Sequence, residues 1–170
     1  MRKTTIALAF LVVWFFAMPT GWAQESDKEH AELAKALKEA KISLQRGLTA
    51  SAKAGKPISA KYEVEHGKLQ LSVYTMKGDT FSEVIVDHKT GKVAKAEPIT
   101  GGDDLTAAKA QSEAMANAKR SLDAAASDAV KDNKGYRAVS VMPALKDGHP
   151  EADVMLVKDT EWKTVSEKLD

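Results

Sequence analysis

The sequence predicts an α+β fold of two tandem units, each a long α-helix packed on a small antiparallel β-sheet of three to four strands. Three observations carry that prediction. The chain matches itself at an offset of 74, which places Leu48 on Leu122, Tyr62 on Tyr136, and Ala34, Lys35, Glu39 and Arg46 on Ala108, Lys109, Glu113 and Arg120. Apolar residues then recur every three or four positions at Leu33, Leu37, Ala40, Leu44 and Leu48, the period of one helical face. From Ile58 onward the period falls to two, as in a half-buried strand.

The first element is expected to be removed. Arg2 and Lys3 precede an apolar run from Ile6 to Met18, Pro19 breaks it, and Gly21-Trp22-Ala23 supplies the small residues of a signal-peptidase site. The run is shorter than the roughly 20 residues that span a bilayer. Residues 1–23 therefore read as a signal peptide cleaved near Ala23/Gln24. The mature protein is expected in the periplasm or outside the cell, with no stable membrane insertion. The chain has no cysteine, which excludes a lipoprotein anchor, disulfide staples and thiol catalysis. Losing Arg2 and Lys3 takes 25 basic residues to 23 against 24 acidic ones, a formal net charge of −1 that gives no footprint for nucleic acid.

The first unit covers residues 24–100. Ser26 and Glu29 stand at capping-box spacing, so the helix is predicted to start there. Gly55 and Pro57 close it near Ala54, with Gly55 as a left-handed cap. Ile42 lies off the apolar stripe, so either it meets a neighbour or the helix breaks at Lys41 and restarts with Ser43 as cap. Gly47 in the helix interior costs about 1 kcal/mol relative to alanine and suits a bend or a close backbone contact. Strands follow at Ile58–Val64 and Leu69–Val73 around the His66-Gly67 turn. Lys77-Gly78-Asp79 then leads into 81–87, and the tight reversal Asp87-His88-Lys89-Thr90-Gly91 leads into an edge strand from Val93 to Glu97.

Ile99-Thr100-Gly101-Gly102-Asp103 is the expected hinge to the second unit, residues 101–170. Its helix is predicted from Asp104 or Leu105 to Lys131, with a stripe of Ala108, Met115, Ala118, Leu122, Ala125 and Ala129. Alanine buries little area, so this helix is expected to lean on the first unit or on a second copy of the chain. The strands read as 136–145, 152–158 and 162–169. Here Lys77, Phe81 and Val84 fall on Lys158, Trp162 and Val165 at an offset of 81, which implies a first hairpin longer by seven residues.

The helix carrying Ile42-Ser43-Leu44, and above all Phe81-Ser82-Glu83-Val84-Ile85-Val86-Asp87-His88-Lys89-Thr90-Gly91-Lys92-Val93, resemble a PepSY domain. Gly135 to Val141 and Asp153 to Asp170 resemble the same domain, without its final hairpin. The resemblance implies an exported, non-catalytic interaction module. Related domains occur in the propeptides of secreted metallopeptidases and in envelope sensor proteins. The implied function is to restrain or regulate an envelope or secreted peptidase, and an exposed strand such as Val93 to Glu97 offers a route by strand addition.

The residues themselves assign no catalytic, cofactor-binding or metal site. His30, His66, His88 and His149 are far apart and form no metal-ligand spacing. Glu65-His66 and Asp87-His88 are sequence neighbours whose side chains point to opposite faces of a strand. Asp147-Gly148 and Asp87 to Gly91 fit turns and lack the ligands of a calcium loop. Phe81 and Trp162 read as core. The expected protein is therefore not an enzyme, needs no cofactor and binds a protein partner. The alternative is a small-ligand or metal-responsive accessory protein of the envelope, acting through His66 or His149.

Overall fold

A computed structural model of the chain describes residues 20–170. Helix α1 (Thr20–Ala36) runs into a 3-10 turn (Leu37–Glu39), then α2 (Leu44–Ser51) and strands β1 (Lys56–Glu65), β2 (Lys68–Lys77), β3 (Thr80–Val86) and β4 (Val93–Ile99). Helices α3 (Gly102–Ala116) and α4 (Leu122–Asp132) precede β5 (Arg137–Lys146), β6 (His149–Lys158) and β7 (Glu161–Lys168). The predicted architecture of two helix-on-small-sheet units is corrected by the sheet. All seven strands form one antiparallel sheet in the order β4-β3-β2-β1-β5-β6-β7. The join is β1 with β5, where Ala60 pairs with Val141 and Lys61 with Ser140. Each meander alone would end on β1 or β5 with unpaired amides and carbonyls, and joining the two pairs the middle of each of these edges.

The two halves of the sheet repeat each other at one offset. β5, β6 and β7 begin 81 residues after β1, β2 and β3. His66 (φ 50°) and Gly67 (φ 74°) have counterparts in Asp147 (φ 51°) and Gly148 (φ 82°), and Gly78 (φ 60°) in Asp159 (φ 54°). Hairpins of the two halves are therefore equal in length, and the expected seven-residue growth is absent. At this offset Tyr62 corresponds to Pro143, not Tyr136. An approximate two-fold axis passes through the Ala60–Val141 pair, each residue of which is the counterpart of the other.

The predicted second helix is broken, and the first follows the expected alternative of a break near Lys41 and a restart at Ser43. Ser43 caps α2 by accepting from the Arg46 amide at 3.2 Å, and Ser121 caps α4 by accepting from Ala124 at 3.1 Å. The extended link before each cap is tied to a sheet turn. Lys41 and Ile42 donate their amides to the His88 carbonyl, and Lys119 and Arg120 donate to the Leu169 carbonyl. These devices repeat at 78 in the helices and 81 in the strands, so the second half carries three extra residues between α4 and β5. The first helix begins at Thr20 rather than at Ser26. Gly55 takes no left-handed conformation, and a Cβ there would stand 2.7 Å from the Met76 carbonyl oxygen, so close backbone approach is what it provides.

Strand alternation places the helices on two faces. A Cβ on Gly47 of α2 would meet Leu71, whose face also carries Ala60, Val73, Val141 and Val154. α4 lies beside α2, joined to it by the Gln45 amide donating to the Ala126 carbonyl at 3.2 Å. On the opposite face Ser112 of α3 reaches Met76, Gln111 accepts from Ser59 at 2.7 Å, and His30 of α1 stacks on Trp162 at 4.4 Å. Phe81 is buried in the core, as expected, and Trp162 packs against that core half-buried under α1. Leu44, Ile58, Leu71, Leu122, Leu156 and Leu169, all fully buried, come from both halves and belong to one core.

The 87–91 reversal has the predicted turn chemistry. Asp87 Oδ1 accepts the Thr90 and Lys89 amides at 2.7 and 2.9 Å, and Gly91 has φ 73°. Those amides hold the Asp87 carboxyl below its ordinary value. A carboxyl lowered by folding stabilises the fold above its unfolded pKa, and this contribution disappears as pH falls through the folded value. The stability gap between the protein and Asp87→Ala is therefore expected to be full at pH 6 and to close below about pH 4. Thermal unfolding at a series of pH values measures it; a gap that is constant down to pH 2.5 contradicts this role.

The apolar run and most of the predicted signal peptide lie outside the described residues, and the expected cleavage point falls within the first turns of α1. No described helix is long and apolar enough to cross a membrane.

Candidate functional site

The approximate two-fold axis creates two related clefts, each built from both halves. In the first, Leu48 and Thr49 of α2, its C-cap Ala52, and Lys56 and Pro57 of β1 face Met115 and the link-and-cap segment Ala118–Asp123 across about 390 Å³. In the second, Ser127 and Val130 of α4 with Tyr136, Arg137 and Ala138 face Ala40–Ser43 and Gln45 across about 570 Å³. Corresponding positions are related by the same offsets of 78 and 81. Neither cleft is visible from one repeat alone, which is why no sequence motif marks it.

A cation at the start of each central strand ties the clefts to the opposite half. Lys56 Nζ donates to the Met115 carbonyl at 3.0 Å, and Arg137 Nη1 donates to the Leu37 carbonyl at 2.9 Å. These carbonyls lie at or just beyond the end of the first helix of the other half, where carbonyls lack intrahelical partners and attract cations. Arg137 also lies over the Tyr62 ring at 5.5 Å, and Tyr62 in turn donates its hydroxyl to the Ile42 carbonyl at 2.9 Å. Burial raises the Tyr62 phenol above its ordinary value, against the lowering effect of Arg137.

The sheet edges are the second candidate surface. Among the described residues β4 pairs with β3 alone, six of its seven residues are exposed, and no other described strand lies beside its outer backbone row. Lys95 and Glu97 pair at 2.7 Å, and Pro98 sits near the end. Such charges and prolines guard edges against indiscriminate pairing. Val93, 44% exposed, is one of two large apolar side chains exposed among the described residues.

The histidines do not converge. His66 is exposed in its turn beside Glu65, and His149 Nδ1 lies 2.9 Å from Asp170. His88 serves through its backbone carbonyl, and His30 covers Trp162. Among the described residues no group of three His, Asp or Glu side chains is placed to hold a metal ion. Two polar networks lie on the sheet itself. Glu63 receives Lys61 at 2.6 Å and the Ser72 hydroxyl at 2.8 Å, while burial pushes the neighbouring Tyr74 phenol up to about 12. Lys146 and Ser166 both reach Asp153 and hold its carboxyl below the usual range.

Comparison with protein-family models, with curated proteins and with solved structures gave no match to this chain.

Proposed function

We propose that the protein is an exported, non-catalytic interaction module of PepSY-like type that binds a protein partner, an envelope or secreted peptidase, through β4. The observation that carries this reading is the open edge from Val93 to Ile99, exposed at six of its seven residues and anchored behind by six register pairs to β3. A strand held in register on one side offers its other side to an extended segment without first having to be ordered, which favours strand addition. The resemblance of 81–93 to a PepSY segment supports the same reading, since that segment is β3 and the turn that launches β4. Restraint of the partner follows from occupying its cleft with a strand that presents no side chain aligned for cleavage chemistry.

A photo-crosslinking residue at Lys95 tests this in the native envelope, with the same residue at Lys134 in the loop before β5 as control. The expected result is one dominant adduct from position 95 and none from position 134. Equal adducts from both positions, or none from position 95, overturn the assignment to β4.

A further inference from the structure

The first cleft differs from its symmetry counterpart in a way that points to a ligand. In the second cleft Gln45 bridges α2 to α4 through its amide to the Ala126 carbonyl at 3.2 Å. The corresponding residue of the first cleft is Asp123, and the corresponding acceptor is the Leu48 carbonyl. A carboxylate cannot donate to a carbonyl, so this bridge has no equivalent, and the Leu48 carbonyl takes the Ser51 hydroxyl at 2.9 Å instead. The walls also differ. Leu48, Ala52, Pro57, Met115, Ala118 and Leu122 give the first cleft a mainly apolar lining, whereas Arg137, Lys41, Ser43 and Gln45 make the second more polar than the first.

Cations stand at equivalent positions in both clefts, Lys56 and Lys119 in the first and Arg137 and Lys41 in the second, so charge sets the sign of a ligand's head and the apolar walls of the first cleft provide for its tail. Arg120 is engaged with the Lys168 carbonyl and with Asp128, both at 2.6 Å. Lys56 uses one donor on the Met115 carbonyl and keeps two more. Lys119 stands exposed at the rim, and among the described residues no carboxylate pairs with either lysine. An apolar cleft of this volume is within the range of small-molecule sites, and two cations at its mouth outweigh the single carboxylate of Asp123 in its wall and select the sign of the ligand's head.

We propose that the first cleft binds a small amphipathic carboxylate, with its aliphatic tail against Leu48, Met115 and Leu122 and its head between Lys56 and Lys119. The site is separate from β4, and neither assignment depends on the other.

Titration of the full mature protein with sodium decanoate, followed by calorimetry and by amide NMR shifts, tests it. Saturable binding is expected, with shifts confined to α2, 56–57 and 115–123. Decanol, which has the tail without the charge, is expected to bind about tenfold more weakly, and Lys119→Glu to weaken decanoate by a similar factor. Ala118→Trp fills the cleft and should abolish binding, while Lys41→Glu at the counterpart position of the second cleft should leave it unchanged. Thermal unfolding confirms that each variant is folded, and the exposed Lys119 variant keeps the test valid should Ala118→Trp not fold. The proposal is overturned by the absence of saturable decanoate binding, by equal affinity for decanol, or by shifts that map to the second cleft.

Discussion

Leu71→Ala is expected to lower the unfolding free energy by about 2–5 kcal/mol, and Gly47→Ala by about 1–3 kcal/mol, yet the two together should cost clearly less than their sum. Leu71 is fully buried, and a Cβ on Gly47 would stand 2.6 Å from its Cδ2 and 3.2 Å from its Cγ. Contact that short forces Leu71 off its rotamer, which outweighs the gain of about 1 kcal/mol that alanine brings to a helix interior. Trimming Leu71 makes room for the new methyl, and the methyl partly fills the cavity that trimming leaves. The second half supplies the precedent, because the positions corresponding to Gly47 and Leu71 are Ala125 and Ala152, both fully buried. A double-mutant cycle by urea denaturation measures the coupling. Strict additivity would show that Gly47 and Leu71 do not share one packing volume.

Residues 24–100 alone are expected not to give a folded monomer, although they contain most of α1, all of α2 and four strands. Cutting there exposes the open side of β1, uncovers Leu48, and removes Met115 and Leu122 from the core. It also strips Arg137 from the Leu37 and Ile42 carbonyls and takes the Met115 carbonyl from Lys56. Each large apolar side chain returned to water costs roughly 1.5–3 kcal/mol, against a total stability of about 5–15 kcal/mol for an ordinary domain. Circular dichroism during heating, with sedimentation to fix the mass, gives the answer. A monomeric fragment with a sharp thermal transition would contradict the interlocked core, whereas co-expression with residues 101–170 should restore one.

Much of the sheet was legible because its signals are local. The alternation of Ile58, Ala60 and Tyr62, the turn at His66-Gly67 and the reversal from Asp87 to Gly91 each depend on a few neighbouring residues. The second helix reads as too long, and the first as either continuous or broken at Lys41, because the breaks at 40–43 and 117–121 contain neither glycine nor proline. Only Ser43 and Ser121 mark them, and what holds them extended is a pair of distant carbonyls, those of His88 and Leu169. Alanine-rich composition favoured an offset of 74, but the backbone keeps 78 and 81. The single sheet was hidden for a different reason. β1 and β5 share only two register pairs, a ladder too short to leave a pattern in the sequence. The clefts were illegible in principle, since each takes its walls from segments more than fifty residues apart.

The narrow β1–β5 seam has a consequence for how the chain tolerates change. Two separate polypeptides meeting through so short a ladder would have to overcome the loss of translational and rotational freedom, estimated at about 4–15 kcal/mol. The covalent run from β4 through Thr100 and Gly101 to α3 removes that requirement, because a short tether holds the halves at an effective concentration in the millimolar range. An interface supported in this way can lose buried volume without dissociating. That explains why α4 can carry Ala125, Ala126 and Ala129 where an untethered partner would need larger side chains.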